Sequence, residues 1–327
     1  MTSPAPVAYP LGAPTVSGNK LTVDTALKQP GRITKRLADL TLQSFIVDRI
    51  FASSGASVAS GAVIYDQVTR NELYTTRDVE ERAEGAEYPI VGGERGEPKV
   101  ASSEDWGGKF WISDGAVRRN DRVFFDNQVT QLANTIVRKV NARAVATLEA
   151  AVTALGGAGV VPGNDWSDVT LTGTAPTPNN QRPFADFAKV QLAADVEELG
   201  VTYDLWIVNP QEKHNLRIAY GPELDEILRE AGLELFASNR VTAGTAYAVA
   251  RGQVGFLDYE QGLTTETWRE QKTRKTWVQS SVMPIMGVTN PYSIKKLTGL
   301  DLRQFDHAIV FKVALMVRKY LSSRDAR

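Results

Sequence analysis

Residues 109–152 read KFWISDGAVRRNDRVFFDNQVTQLANTIVRKVNARAVATLEAAV, and this stretch decides the fold. From Asn120 to Leu155 the chain contains neither glycine nor proline, and apolar residues recur three or four positions apart. That period predicts one amphipathic helix, roughly 50 Å long at about 1.5 Å per residue. GGAG at 156–159 is expected to end it. The predicted core face of the helix consists of Phe125, Val129, Leu132, Ile136 and Val140.

Upstream lies EYPIVGGERGEPKVASSEDWGGKFWISDGAV, residues 87–117, in which strand-like YPIV and KFWI enclose a polar middle. We interpret residues 70–112 as an extended hairpin. A two-stranded hairpin is marginal in water, so we expect it to lie on a second copy of the chain. The residues expected at that contact are Tyr88, Ile90, Glu94, Arg95, Glu97, Lys99, Trp106, Lys109 and Trp111. A surface loop without a partner is the alternative, although it would leave Phe110 and Ile112 without a role.

The N-terminal part is less regular. Residues 1–31 are rich in Pro, Gly, Ser and Thr and predict an extended arm with little core of its own. A helix is predicted over 33–52, and strands are predicted over 62–68 and 72–78 from their Val, Ile, Tyr and Thr content.

Beyond the long helix the pattern changes twice. Helical and strand patterns alternate from 184 to 258, which predicts an α/β domain, with Asn209 as the N-cap of a helix that begins at Pro210. Residues 264–288 predict long antiparallel strands. In the final segment, 301–327, apolar residues at every second position from Ile309 to Val317 suggest a strand, but the absence of Gly and Pro permits a helix.

Composition excludes several classes of protein. The formal net charge is −1, with 37 Lys and Arg against 38 Asp and Glu. The chain therefore has no excess of basic residues that would favour binding to nucleic acid. There is no cysteine, so disulfides and thiolate metal sites are excluded. No apolar run reaches the roughly 20 residues that span a bilayer, and no signal peptide is evident, so we predict a soluble protein without a membrane partner.

No residue pattern indicates catalysis. The two histidines, His214 and His307, have no partners at metal-ligand or catalytic spacing, and no phosphate-binding or nucleophile motif is present. We therefore predict a non-enzyme with no cofactor and no metal. Trp106, Trp111, Trp268 and Trp277 are interpreted as packing or interface anchors, because no basic surround suits them for stacking on bases.

The order of these parts resembles the major capsid proteins of tailed double-stranded DNA bacteriophages, which have the Hong Kong 97-like fold. The resemblance rests chiefly on two segments, WISDGAVRRND (111–121) before the helix and TNPYSIKKLTG (289–299) near the end. It covers roughly residues 30–300. It implies an α+β fold. The implied layout is an N-terminal arm (1–31), a helix and strand (32–69), an E-loop hairpin (70–112), a spine helix (113–155), an axial domain (156–260 and 286–300), long peripheral strands (261–285) and a C-terminal extension (301–327).

The resemblance also implies a function and partners. The chain is expected to assemble as hexamers and pentamers of an icosahedral shell around double-stranded DNA, in the virion, after assembly in the host cytoplasm. Weak non-specific contact with the packaged DNA, a separate scaffolding protein and a decoration protein are the further partners expected.

One relative joins its subunits covalently through an E-loop lysine and a peripheral-domain asparagine beside a glutamate. Lys99 and Lys109 could supply the amine here, but residues 264–285 contain no asparagine, and Asn290 lies just outside. We therefore predict no crosslink.

Two other interpretations stay open. The same fold could form an encapsulin-like compartment that holds enzyme cargo. A hydrolase or lectin-like binding protein, from another class, would be a monomer or small oligomer with a pocket of convergent polar groups.

Overall fold

A computed structural model describes residues 22–42, 46–55, 58, 60–69, 74–93, 95–198 and 200–301. The helices are α1 (Val23–Lys28), α2 (Pro30–Leu42), α3 (Val47–Ile50), α4 (Asp114–Arg118), α5 (Arg122–Leu155), α6 (Pro183–Val196), α7 (Pro210–Tyr220) and α8 (Leu224–Glu230). The strands are β1 (Ala62–Gln67), β2 (Glu97–Ser102), β3 (Trp106–Ser113), β4 (Val160–Pro162), β5 (Leu205–Val208), β6 (Glu234–Ala237), β7 (Thr245–Val249), β8 (Gly255–Glu270), β9 (Lys275–Val288) and β10 (Ile294–Thr298). Predictions for residues 1–21, Glu94 and 302–327 lie outside the described residues.

The predicted long helix is confirmed as α5, which has 34 residues. The Asp121 carboxylate caps its start by accepting the backbone N–H of Phe124 at 3.1 Å. Its end is marked by Gly156, whose φ of 59° is unfavourable for other residues. The residues predicted for its core face are all removed from solvent to some degree. Phe125, Val129, Ile136 and Val140 are buried, and Leu132 is partly buried.

The prediction of an extended arm is wrong for residues 23–28, which form α1. Its N-cap is Thr22, whose hydroxyl oxygen accepts the Thr25 backbone N–H at 3.4 Å. The short helix buries Val23, Ala26 and Leu27 in the same cluster as the start of α5. The helix predicted over 33–52 corresponds to two helices, α2 and α3, and residues 43–45 between them are not described.

A three-stranded antiparallel sheet packs against the N-terminal half of α5. Its strand order is β3-β9-β8, and the predicted long strands are confirmed as β8 and β9, with 16 and 14 residues. Alternate residues of β3 and β9 face the helix, since the side-chain period of a strand is two. The apolar side chains that meet there include Phe110, Ile112, Val278, Phe125 and Val129.

A five-stranded mixed sheet packs on the C-terminal half of the same helix. Its order is β4-β10-β7-β5-β6. Leu205 and Ile207 of β5 belong to the cluster that contains α5, whereas Trp206 and Val208 belong to the cluster formed with α6, α7 and α8. The sheet therefore lies between α5 and the other three helices. The Asn209 cap is confirmed, because its side chain accepts the Gln211 N–H at 3.0 Å.

Polar contacts join α5 to this sheet as well. Lys296 donates to a carboxylate oxygen of Glu149 at 2.6 Å, and the Tyr247 hydroxyl donates to the other oxygen. Partial burial favours the neutral carboxyl, but the hydrogen bonds from Lys296 and Tyr247 hold the pKa of Glu149 below its usual value.

The predicted hairpin is wrong in its pairing. KFWI belongs to β3, which pairs with β9 (Trp111 opposite Trp277), and YPIV forms no strand. The strand β2 pairs instead with β1, upstream of the predicted hairpin, and residues 74–78 are not a strand either. Phe110 and Ile112 are buried against the chain's own helix and need no partner.

Leu148→Ala tests the packing of the C-terminal half of α5 against the five-stranded sheet. Leu148 is fully buried, so its truncation should lower the free energy of unfolding by about 2–5 kcal/mol. The matched control is Leu192→Ala on α6, whose side chain is 59% exposed and should cost about 0.5 kcal/mol or less. Urea unfolding of the unassembled chain, followed by circular dichroism, measures both; equal losses would contradict this packing.

Candidate interaction surface

Strands β1 and β2 form a two-stranded antiparallel ribbon. Its register runs from Ala62 opposite Ser102 to Gln67 opposite Glu97. Within the described residues, neither strand has a further strand on its other side. We call these two strands the ribbon. Residues 74–93, which lie in the connection between the two strands, are called the acidic loop.

The inner face of the ribbon is attached to the three-stranded sheet. Tyr65 makes an edge-to-face contact with Phe256, with ring centroids 5.3 Å apart. A side chain at Gly287 would come within 2.5 Å of the Phe256 ring and 3.0 Å of the Tyr65 ring, so glycine allows this close approach. Farther out, Gln67 donates through its side chain to the Val288 carbonyl at 3.0 Å. The attachment thus covers one face of the ribbon along its length.

The outer face of the ribbon carries an exposed apolar pair. Ile64 and Val100 lie directly opposite each other on the two strands, and their exposed fractions are 75% and 67%. A cross-strand pair of β-branched residues stabilises a ribbon, but a pair this exposed gains little from burial. Covering this face would remove apolar surface from water.

The acidic loop contains no helix or strand, and every residue of it except Pro89 is exposed. Its charged residues are five acidic (Asp78, Glu80, Glu81, Glu84, Glu87) and two basic (Arg77, Arg82), a net charge of −3. Local contacts hold parts of it, since Arg77 pairs with Glu80 at 2.6 Å and the Arg82 guanidinium lies 4.8 Å from the centre of the Tyr88 ring. Its most exposed large apolar side chains are Val79, Tyr88 and Ile90, at 76%, 71% and 93%.

The residues expected at the contact divide between two places. Tyr88 and Ile90 lie in the acidic loop, and exposed Arg95 lies just beyond it. Glu97 and Lys99 lie on β2, where they pair with each other at 2.9 Å. Trp106, Lys109 and Trp111 are not on the ribbon at all but on β3, in the sheet that packs on α5.

The face of that sheet turned away from α5 carries three tryptophans in a row across the strands. Trp111 on β3 lies opposite Trp277 on β9, which lies opposite Trp268 on β8. We call these three residues the tryptophan row. Trp277 and Trp268 are stacked, with ring centroids 6.3 Å apart and planes at 18°. Trp111 and Trp268 are 43% and 40% exposed. The sequence marked these residues as anchors but could not show that they are neighbours, because the strand register is set by tertiary packing.

Charged side chains lie over and beside the row. Lys275 is 4.1 Å from the centre of the Trp111 ring, and Lys109 is 5.0 Å from that of Trp277. The indole N–H of Trp277 donates to Glu270 at 2.9 Å. That hydrogen bond, helped by Thr273, Lys275 and Lys109, holds the pKa of Glu270 below its usual value. The rings are thereby fixed in place while their outer surfaces stay open.

Three further observations concern the rest of the described residues. No three acidic or histidine side chains there converge on a point that could hold a metal ion. No helix there is long and apolar enough to cross a membrane. A cleft of about 460 Å³ between α7, α8 and β6 is lined by four leucines, five charged residues and Gly232. Arg251 at its edge pairs with Asp204 and Glu234 at 2.6 Å.

Comparison with known proteins gives a family and a fold. The family model described as phage capsid protein matches residues 96–297, which is 202 of the 327 residues. This range includes β2, all of α5 and the three strands that carry the tryptophan row, β3, β8 and β9. No curated protein sequence matches the chain.

Solved structures resemble this one at low sequence identity. A protein of Mycobacterium phage Adephagia has a TM-score of 0.53 and 11% identity, over 79% of this chain and 89% of the other. The capsid structure of cyanophage P-SCSP1u gives 0.50 and 14%, over 80% and 88%. The virus-like particle from Pyrococcus furiosus gives 0.50 and 12%, over 82% and 98%. At such identities these likenesses concern the fold alone.

Tyr65→Ala should loosen the ribbon while leaving the rest of the chain folded. The substitution removes the ring that packs on Phe256, whereas Ile64→Ala, its neighbour on the exposed face, serves as the control. We expect amide hydrogen exchange in 62–67 and 97–102 to accelerate about tenfold or more in Tyr65→Ala only, since an edge-to-face pair and its buried area are lost. Equal exchange in the two variants would mean that the inner face does not hold the ribbon.

Proposed function

The chain belongs to the phage capsid protein family, and from this we propose that it is the major capsid protein of a tailed bacteriophage. In this proposal the chain has a structural role and no catalytic one. Copies of it assemble as hexamers and pentamers of an icosahedral shell that encloses double-stranded DNA. The family match over residues 96–297 carries the proposal.

The exposed ribbon and loop support self-assembly. The ribbon has one covered face, and its other face presents the Ile64–Val100 pair to solvent. The acidic loop adds two further exposed apolar side chains, Tyr88 and Ile90. Burying such side chains against another copy would contribute about 25 cal/mol for each Å² of apolar surface removed from water.

We propose a Hong Kong 97-like layout for these parts. Here α5 is the spine helix, and the three-stranded sheet belongs to the peripheral domain. The five-stranded sheet with α6, α7 and α8 is the core of the axial domain. The E-loop is the ribbon with its acidic loop, over about 60–103, rather than the hairpin over 70–112 that the sequence indicated.

The charge balance supports a shell that contains DNA without adhering strongly to it. A net charge of −1 gives little non-specific attraction to phosphates, because that attraction grows with the number of lysine and arginine contacts. A scaffolding protein during assembly, a decoration protein on the finished shell and assembly in the host cytoplasm are further parts of the proposal.

A protein compartment with enzyme cargo is the second candidate. The likeness to the virus-like particle from Pyrococcus furiosus, which covers 98% of that chain, favours it at the level of fold. The content of purified particles separates the two: nuclease-protected DNA supports the phage shell, and a co-purifying enzyme supports the compartment.

Negative-stain microscopy of the chain produced in bacteria, with and without a scaffolding protein from the same genome, tests the main proposal. We expect closed shells of uniform size. A matched variant, in which a short Gly-Ser turn replaces residues 70–94, should stay folded but form no shells, because Gln67 and Glu97 can still be joined. A monomer that forms no shells under any of these conditions and binds a small ligand saturably would refute the proposal.

Assembled particles should run as a single chain in denaturing electrophoresis. Lys99 pairs with Glu97, Lys109 lies on β3 over Trp277, and strands β8 and β9 contain no asparagine to receive an amine. Asn290 is engaged in capping, since its side chain accepts the Tyr292 N–H at 3.1 Å. Bands at multiples of the chain mass after boiling in detergent and reductant would contradict this prediction.

A further inference from the structure

We propose that residues 308–317 form a further strand on the open edge of the five-stranded sheet, beside β6, with side chains that fill the cleft between α7, α8 and β6. These residues belong to the C-terminal segment, 302–327, which lies outside the described residues. The occupant of the cleft is therefore part of the same chain. The proposal goes beyond the assembly of a shell and does not rest on it, since it concerns how one chain completes its own sheet.

The strand β6 has an open edge. It is last in the order β4-β10-β7-β5-β6, so within the described residues β5 is the one strand that pairs with it. On the side of β5, the Glu234 N–H donates to the Asp204 carbonyl at 2.8 Å. Successive residues of a strand direct their backbone groups to opposite sides, so those of Leu235 and Ala237 point away from β5. Backbone groups at such an edge are a template for a further strand.

The cleft lies next to this edge. Its volume is about 460 Å³, and its leucines are Leu224 and Leu228 of α8 with Leu233 and Leu235 at β6. Leu235 packs with the cluster formed by α6, α7 and α8, whereas Phe236 packs with the cluster that contains α5. A strand beside β6 would continue this alternation, because side chains of a strand point to opposite faces in turn. Every second side chain of the added strand would therefore enter the cleft.

The sequence of the C-terminal segment suits this place. Residues 308–317 read AIVFKVALMV, with apolar residues at every second position from Ile309 to Val317 and a single charged residue, Lys312. Strands that are covered on both faces are nearly continuous apolar runs, and this sheet lies between α5 and the other three helices. A lysine is also the residue that edge strands often carry. The run thus has the composition that a new edge strand of this sheet requires.

The described chain ends at the correct end of the sheet. The Leu300 N–H donates to the Gly244 carbonyl at 3.1 Å, and Asp301 is buried, so the segment departs beside the start of β7. Strand β10 is antiparallel to β7, and β7 is antiparallel to β5. The end of β10 therefore lies level with the ends of β5 and β6, which are parallel to each other.

The connection from β10 is long enough to reach the open edge. The path crosses β7, β5 and β6 to the added strand, four strand spacings or about 19 Å at about 4.8 Å each. The seven residues 302–308 span up to about 23 Å when extended. The run would then return along β6 in the antiparallel direction.

The charges of the segment and of α8 are opposite. Residues 302–327 contain six basic and two acidic residues, a net charge of +4. Residues 223–230, which include α8, contain four acidic residues and one basic residue, a net charge of −3, and all five are exposed. Since α8 forms one wall of the cleft, this complementarity favours the segment there.

The opposite edge of the sheet is less suitable for a further strand. Strand β4 has three residues and ends in Pro162, which has no backbone N–H to donate. The Pro162 carbonyl already accepts the Lys189 ammonium group at 2.6 Å. The β6 edge is therefore the one that we expect the segment to join.

Amide hydrogen exchange of the full chain tests the added strand. Phe311→Asp with Val313→Asp places two carboxylates in the apolar run and should release it, so that the amides of residues 234–237 exchange about tenfold or more faster than in the natural chain. Ser322→Asp with Ser323→Asp makes the same charge change outside the run and should leave these amides within about twofold. The amides of β7, in the middle of the sheet, should keep their rates in both variants. Equal exchange at 234–237 in the two variants would overturn the proposal.

Cysteine pairing locates the segment, because the natural chain has no cysteine. After mild oxidation, Leu235→Cys should form a disulfide with a cysteine placed at one of three alternate positions, Phe311, Val313 or Leu315. The control combines the same three positions with Val160→Cys, an exposed site on β4, and should give at least about tenfold less disulfide. Similar yields at the two edges would count against the proposal.

The same substitutions distinguish one chain from two. A disulfide within one chain keeps the mass of a single chain in non-reducing denaturing electrophoresis while two free thiols are lost, and this is the product that we expect. Chains that carry Leu235→Cys alone should be mixed with chains that carry Val313→Cys alone. If the mixture pairs as efficiently as two cysteines in one chain, the segment occupies the cleft of a second copy and the proposal falls.

Discussion

One helix supplies side chains to two separate hydrophobic cores, and the rest of the structure depends on that sharing. The N-terminal half of α5 contributes Phe125 and Val129 to the core under the three-stranded sheet. Its C-terminal half contributes Leu148 and Val152 to the core under the five-stranded sheet. Since an α-helix resists bending, the two sheets are held at a set separation along it. The Glu149 contacts with Lys296 and Tyr247 add a polar restraint at the second junction.

The ribbon has no equivalent support. Its inner face shares a small cluster with Phe256 and Ile285, and its outer face and the acidic loop add almost no buried surface. A two-stranded element of this kind gains its missing apolar contacts only from outside the chain. The body of the chain therefore has its own hydrophobic cores, whereas the outer face of the ribbon stays open to a partner. That division suits a protein that must fold first as a single chain and associate afterwards.

The elements that local pattern controls could be predicted from the sequence, and those that depend on distant contacts could not. The long helix, the Asn209 cap and the length of β8 and β9 follow from period, capping chemistry and composition within one segment. The partner of the KFWI segment could not be predicted in this way. Phe110 and Ile112 could pack against any apolar face, and the face that they pack against belongs to α5. Pro89 removes a backbone donor from YPIV, a signal that weighed against a strand there. The α1 helix could not be predicted because its N-cap, Thr22, lies at the edge of a Pro- and Gly-rich stretch.

The same limit applies to the candidate site. The tryptophans could be identified in the sequence, but their alignment across β3, β9 and β8 depends on strand register, which tertiary packing sets.

A loop that docks on a different surface of its neighbour makes a heterologous contact, in which donor and receptor patches are distinct. Repetition of such a contact generates a ring when the rotation between copies closes, and rings of five and six differ only modestly in that rotation. The tryptophan row is held by strand pairing and by neighbouring side chains: Trp111 by Lys275, Trp277 by Lys109 and Glu270, and Trp268 by its stacking on Trp277. The acidic loop is irregular backbone, and all of its residues except Pro89 are exposed, so it can change its path without disturbing a hydrophobic core. In the proposed shell of pentamers and hexamers, a rigid body combined with an adjustable loop would allow one sequence to occupy positions that are nearly but not fully equivalent.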